Sequence, residues 1–226
     1  MTKISKLNAN LLYNATNCQF IKMLTLNNIT CKKGERILFK NLGFTLGDGC
    51  AVIIRGANGS GKTSLLNIIA CLAAPDEGEI LYANESVIGE HRKEYCGMIQ
   101  YIGHKNALKP QLTVRENLKF WTDLRDSEER LNAAISFFDL NDFENTPCAK
   151  LSQGWQKKVS LAKLLACPSE IWLLDEPFTN LDFDSRLKLR SVIETRCENG
   201  GSVIVATHDD VQISNSVELN LEDFVN

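Results

Sequence analysis

No stretch of this chain is apolar for long enough to cross a bilayer. The longest run, LLNIIACLAA, falls well short of the roughly 20 residues a spanning helix needs. The N-terminus also lacks the hydrophobic core of a signal peptide. Docking onto a protein that does span a membrane stays open. There is no basic excess either: the net charge is −3, which disfavours nucleic acid as a primary partner. Eight cysteines are scattered at 18, 31, 50, 71, 96, 148, 167 and 197, with no Cys-x-x-Cys pair among them. Only three histidines, at 91, 104 and 208, could complete a metal site, so a zinc centre is disfavoured. Reduced thiols of a cytosolic protein are the simpler reading, several of them acting as small buried hydrophobes.

What is present fits a soluble globular protein: 226 residues make one large domain, or a domain with a subdomain. Residues 1–22, MTKISKLNANLLYNATNCQFIK, are Asn-rich, without acid, arginine or clear periodicity. They read as a poorly ordered extension, and Met23 could be an alternative start. The absence of arginine weakens a transit-peptide reading. From residue 23 the chain is β-rich (LTLNNITC, RILFKNLGFTL, CAVIIR), and a Gly-rich loop then opens a helix. Further strands are expected near 79–83 and 96–103. TVRE (113–116) has the form of a capping box starting a helix through Leu124. A second helix begins near 126–129, with Leu131, Ala134, Ile135 and Phe138 on one face. CPSEIWLLDEP and GGSVIVATHDD look like buried parallel strands carrying polar residues at their C-terminal ends. There is no internal repeat. The pattern predicts an α/β core with an N-terminal antiparallel β subdomain and a helical insertion at about 104–165.

Four segments carry chemistry. GANGSGKT comprises Gly56, Ala57, Asn58, Gly59, Ser60, Gly61, Lys62 and Thr63, with Ser64 following. It matches G-x-x-x-x-G-K-[ST] between a strand and a helix. The glycines let backbone N–H groups wrap a phosphate, Lys62 reaches the β- and γ-phosphates, and the Thr63 hydroxyl ligates Mg²⁺. IWLLDEP delivers Asp175 to the same Mg²⁺, and Glu176 beside it can polarise an attacking water as general base. Two adjacent acids ending an apolar strand are expensive unless a cation or a reaction uses them. In LSQGWQKKVSLAKLL, Ser152 is a helix N-cap and Gly154 permits close backbone approach. His208 lies just past the strand VIVAT, within reach of a γ-phosphate; alone it would read as structural.

In this order the segments resemble the ATP-binding cassette (ABC) ATPase family across roughly residues 23–222, which implies a P-loop NTPase core of ABC type. The resemblance makes GANGSGKT the Walker A segment, IWLLDEP the Walker B with catalytic Glu176, and LSQGW the signature. TNLD, ending in Asp182, becomes the D-loop, and His208 the switch histidine. It also implies ATP and Mg²⁺, and a second copy of the chain. In that family two such units close head to tail, so Ser152, Gln153 and Gly154 would act on ATP held by the partner. The chain departs from the family pattern in three ways. Gln153 and Trp155 stand where Gly and Gln are usual, which predicts a working but altered cap. No aromatic is placed for adenine, leaving Lys33 or Arg36 as a substitute. His104 occupies the Q-loop glutamine position, where imidazole can hydrogen-bond as an amide does and can also charge near pH 6.5.

YIGHKNALKPQLTVRENLKFW resembles one branch, the ATP-binding subunit of the haem exporter of cytochrome c biogenesis. That resemblance implies an integral membrane subunit and further cytochrome c maturation proteins as partners. It implies no nucleic acid, and a peripheral location on the cytoplasmic face of the cell inner membrane. An ABC ATPase for another cargo, and a soluble ABC-type switch, are the alternatives.

Overall fold

Alternation of buried and exposed positions starts the chain's first sheet. The computed structural model describes residues 24–225, so the extension expected at 1–22 lies outside the described residues. Leu24 and Leu26 of β1 (Leu24–Lys33) point into the interior, and β2 (Arg36–Leu46) returns antiparallel beside it. The next strand, β3 (Ala51–Arg55), is buried nearly throughout, and the Gly-rich loop leads from it into α1 (Lys62–Ile69). β4 (Glu77–Tyr82) joins the other edge of β1, and short β5 (Glu85–Ser86) completes an antiparallel sheet ordered β2-β1-β4-β5.

Residues 96–98, expected as strand, instead finish helix α2 (Arg92–Met98), and only Ile99–Ile102 form β6. The reason is tertiary. The helix buries Tyr95, whose hydroxyl donates to the Ile69 carbonyl at 2.8 Å at the end of α1. Three helices then precede the next strand: α3 (Val114–Leu124), α4 (Leu131–Phe137) and α5 (Gln153–Ala166). The capping box at Thr113 is complete. Thr113 Oγ1 accepts from the Glu116 amide, and Glu116 accepts from the Thr113 amide at 2.8 Å. Leu131, Ala134, Ile135 and Phe138 are all buried.

β7 (Ile171–Asp175), α6 (Phe183–Glu198), β8 (Ser202–Ala206) and β9 (Ser216–Asn220) complete a five-stranded parallel sheet, ordered β6-β7-β8-β3-β9. Both of its faces are covered. Ala51, Ile53, Trp172, Leu174, Val203 and Val205 pack in a core with α3, α4, α5 and α6. Their alternating neighbours Val52, Ile54, Ile171, Leu173 and Ile204 pack in a second core with α1 and the antiparallel sheet. That two-sided burial explains why these strands read as unbroken apolar runs. The fold is therefore α/β, with a P-loop at the C-terminal end of a central parallel strand.

Buried lysines mark α5. Lys163 donates to the carbonyls of Asn106 (3.2 Å) and Ala107 (3.0 Å), and desolvation pulls its pKa from 10.5 down to about 8. Between those values the unfolded chain holds a proton that the folded chain has released, so stability from this group rises with pH. We expect the stability of the wild type minus that of Lys163→Met to increase between pH 8 and 10.5, by up to about 3 kcal/mol. Urea melts at stepped pH check this; a flat difference would contradict it.

Candidate active site

The P-loop cradle depends on one glycine in particular. Gly61 caps α1 at φ 107°, a left-handed conformation, and a Cβ there would lie 3.1 Å from the Phe39 ring. Among the described residues no side chain caps this helix, so its first amides stay available to an anion. Lys62 folds back over the loop and donates to the carbonyls of Gly56 at 2.7 Å and Ala57 at 3.3 Å. Ser60 Oγ is buried and makes no hydrogen bond among the described residues. A cavity of about 440 Å³ opens here, and Asn58, Gly59, Gly61, Lys62, Thr63 and Ser64 all line it. So do Lys33 and Arg36, the two candidates for contact with a base.

Two strands away, β7 brings its acids to the same cavity. Asp175 is 1% exposed and accepts from the Thr63 hydroxyl at 2.8 Å. Desolvation raises its pKa, against the opposing Thr63 hydrogen bond and the nearby His104. A buried carboxylate paired with a hydroxyl is a donor set that suits a hard cation such as Mg²⁺. Glu176 adopts φ 46° and donates its amide to the Ala206 carbonyl at 2.8 Å. Its carboxylate meets Lys62 Nζ at 3.5 Å, Thr207 Oγ1 at 3.1 Å and His208 Nδ1 at 3.0 Å. Desolvation opposes its ionisation, but hydrogen bonds from His208 and Thr207 and the charge of Lys62 outweigh that and hold its pKa low. The carboxylate is therefore ionised and available to accept a proton.

The signature segment lies elsewhere. Ser152 caps α5, its hydroxyl accepting from the Trp155 amide at 3.4 Å. Gln156 braces the preceding turn by donating to the carbonyls of Cys148 and Leu151, each at 3.1 Å. A Cβ on Gly154 would sit 3.0 Å from the Asn180 carbonyl, so any side chain there would press the 179–182 loop away from the first turn of α5 by a few tenths of an ångström. Trp155 packs against Phe143 at 4.4 Å and lies under Lys158 at 4.3 Å. Asp182 caps α6 through the Ser185 amide at 2.8 Å and pairs with Lys158 at 3.1 Å. The Ser185 hydrogen bonds, joined by Lys158, bring its pKa down to about 2.

Ser152, Gln153 and Gly154 do not line the P-loop cavity. Gln153 opens instead on a neighbouring cavity of about 420 Å³, whose wall includes Asn180, Lys157 and Glu176. His104 and Glu176 line both. Thr207 and Lys157 touch Glu176 without having stood out in the sequence. Thr207 sits one residue before His208, a signal that was available. Lys157 gave none, because a lysine near a helix start ordinarily faces solvent.

Residues 39–179, more than half of the chain, match the family model described as "ABC transporter". A Rickettsia bellii protein named cytochrome c biogenesis ATP-binding export protein CcmA is 42% identical over 88% of this chain and all of that relative. A protein of the same name from Paramagnetospirillum magneticum is 41% identical, over 87% of this chain and 93% of its own length. Among solved structures, a dimeric ATP-binding cassette in a post-hydrolysis state with ADP and Pi superposes with a TM-score of 0.72. It is 30% identical and covers 82% of this chain and 88% of its own. A putative ABC transporter ATP-binding protein from Pyrococcus furiosus shares the fold with a TM-score of 0.79 over 90% of this chain and all of its own, at 24% identity. The matched span encloses the P-loop, the signature and the paired acids, and the chain belongs to the ABC transporter family as one of its ATPases.

Proposed function

We propose that this chain is the ATP-hydrolysing subunit of an ABC-type membrane complex of c-type cytochrome biogenesis, acting in haem export or release of the haem chaperone. The observation that carries the catalytic part is the convergence of Lys62, the Thr63–Asp175 pair and Glu176 on one cavity. The names and whole-length similarity of the relatives support the process.

Lys62 and the amides of Gly56 to Ser64 bind the phosphates of ATP. Thr63 and Asp175 would hold Mg²⁺, which offsets charge on the phosphate oxygens. Glu176 orients the attacking water and accepts its proton, while His208 and Thr207 hold the carboxylate in place. Ser152, Gln153 and Gly154 do not line this cavity, which supports their acting on ATP held by a second copy. Asp182 belongs to the loop between the two units.

We read residues 23–226 as one ABC nucleotide-binding domain whose helical subdomain spans about 104–165. His104, lining both cavities, is read as the coupling residue toward an integral membrane subunit. No helix among the described residues is long and apolar enough to cross a membrane. We read the chain as peripheral on the cytoplasmic face of the inner membrane, with that subunit and other maturation proteins as partners and no nucleic acid.

Deleting the gene should abolish covalent haem staining of c-type cytochromes, and a plasmid copy should restore it. Normal cytochrome c levels in the deletion strain would reassign the ATPase to another cargo.

A further inference from the structure

The main chain of Glu176 is held at both of its polar groups. Its amide donates to the Ala206 carbonyl at 2.8 Å, and its carbonyl accepts from Lys157 Nζ at 3.0 Å and from the Thr179 amide at 3.4 Å. The second hold matters because Glu176 is a non-glycine residue at φ 46°, a conformation that persists only where surrounding contacts over-determine it. Lys157 is 4% exposed and, unlike Lys62, is not among the residues lining the P-loop cavity. Lys157 lines the neighbouring cavity instead, with Gln153 and Glu176. Burial pulls its pKa from 10.5 down to about 8, while the charges of Asp175 and Glu176 oppose that fall and favour the ammonium.

The same helix, α5, is capped by Ser152, and its other lysines reach further parts of the machinery. Lys158 pairs with Asp182 at 3.1 Å, and Lys163 holds the carbonyls of Asn106 and Ala107 in the loop that follows His104. Three lysines of α5 therefore tie its body to the Glu176 peptide, the 179–182 loop and the His104 loop. A shift of α5 on engagement of its N-terminus reaches Glu176 through one hydrogen bond.

We propose that Lys157 is a positioning residue for the catalytic carboxylate, through which α5 links the occupancy of the partner's ATP site to the setting of Glu176 in its own. This rests on the reading of Glu176 as general base. Lys157 makes no contact with nucleotide in this role, and it acts only by fixing the peptide that carries the carboxylate.

The test uses full-length chain assembled with its membrane subunit and compares Lys157→Met, Lys157→Arg and Glu176→Gln. Lys157→Met should lower kcat at least tenfold while KM for ATP stays within about twofold, since a misplaced catalytic group costs turnover rather than binding. The Hill coefficient for ATP should fall toward 1 in the same variant. Lys157→Arg, which keeps a charged donor, should recover most of the turnover. A kcat loss smaller than tenfold in Lys157→Met, or an unchanged Hill coefficient, with Glu176→Gln inactive, overturns the proposal and leaves the reading of Glu176 standing. Normal turnover in Glu176→Gln removes that reading and the proposal with it. Should Lys157→Met fail to fold, Lys157→Arg decides: kcat and KM worsening in parallel, with thermal destabilisation, marks a structural role only.

Discussion

Glu176→Gln should bind ATP within a few-fold of wild type and turn it over about 10² to 10⁴ times more slowly. The substitution is nearly isosteric, so the contacts of the other cavity residues survive it. Lys62 keeps its two loop carbonyls, and Thr63 keeps Asp175. What disappears is the capacity to accept a proton. The amide has no counterpart to the ionised carboxylate that His208, Thr207 and Lys62 stabilise against desolvation. With ATP retained and cleavage blocked, the two-subunit closed form should accumulate, visible as an ATP-dependent shift to dimer on size exclusion. The pH–rate profile of the wild type offers a second check. Because the Glu176 pKa lies below its ordinary value, the acidic limb assigned to it should fall below the usual glutamate range. Turnover in the variant within tenfold of wild type would place the base elsewhere.

The contrast between residues that were legible and those that were not has a physical cause. The P-loop was legible because everything it needs is local: glycines for the turn, a lysine, a hydroxyl, and a helix start. Asp175 and Glu176 were legible because two acids closing the apolar run IWLL violate hydrophobic economy, and such violations cluster at sites. The central strands showed themselves by burial on both faces. The helix at 92–98 did not, because Tyr95 fixes it through a carbonyl 26 residues earlier in the chain. Lys157 and Lys163 were hidden for the same reason. Their partners lie 19 and 56–57 residues away, and nothing in KKVSLAK distinguishes a buried ammonium from a solvated one. Trp155, an unusual residue at its position, became intelligible only once Phe143 and Lys158 were seen on its ring.

Lys62→Ala should fail one step earlier than Glu176→Gln, at binding. Lys62 is 6% exposed, and its ammonium is shared by the carbonyls of Gly56 and Ala57 and the carboxylate of Glu176. Removing it takes away the cation facing the phosphates, and it also leaves the Glu176 carboxylate in a desolvated site with one partner fewer. Truncating one member of a buried charged pair costs about 2–5 kcal/mol, so ATP affinity should weaken by roughly 30-fold or more. The fold should persist, because the apolar contacts of α1, through Leu65, Leu66, Ile68 and Ile69, do not involve the ammonium. Titration with a fluorescent ATP analogue gives the affinity, and circular dichroism checks the fold. The double variant Lys62→Ala/Glu176→Gln separates the two roles. If Lys62 secures the nucleotide and Glu176 spends it, the double variant should show no ATP-dependent dimer, because the block on cleavage has nothing to act upon. A double variant that still accumulates dimer at the ATP concentration sufficient for Glu176→Gln would mean that the loop amides alone hold the phosphates, and that Lys62 serves the reaction rather than the binding.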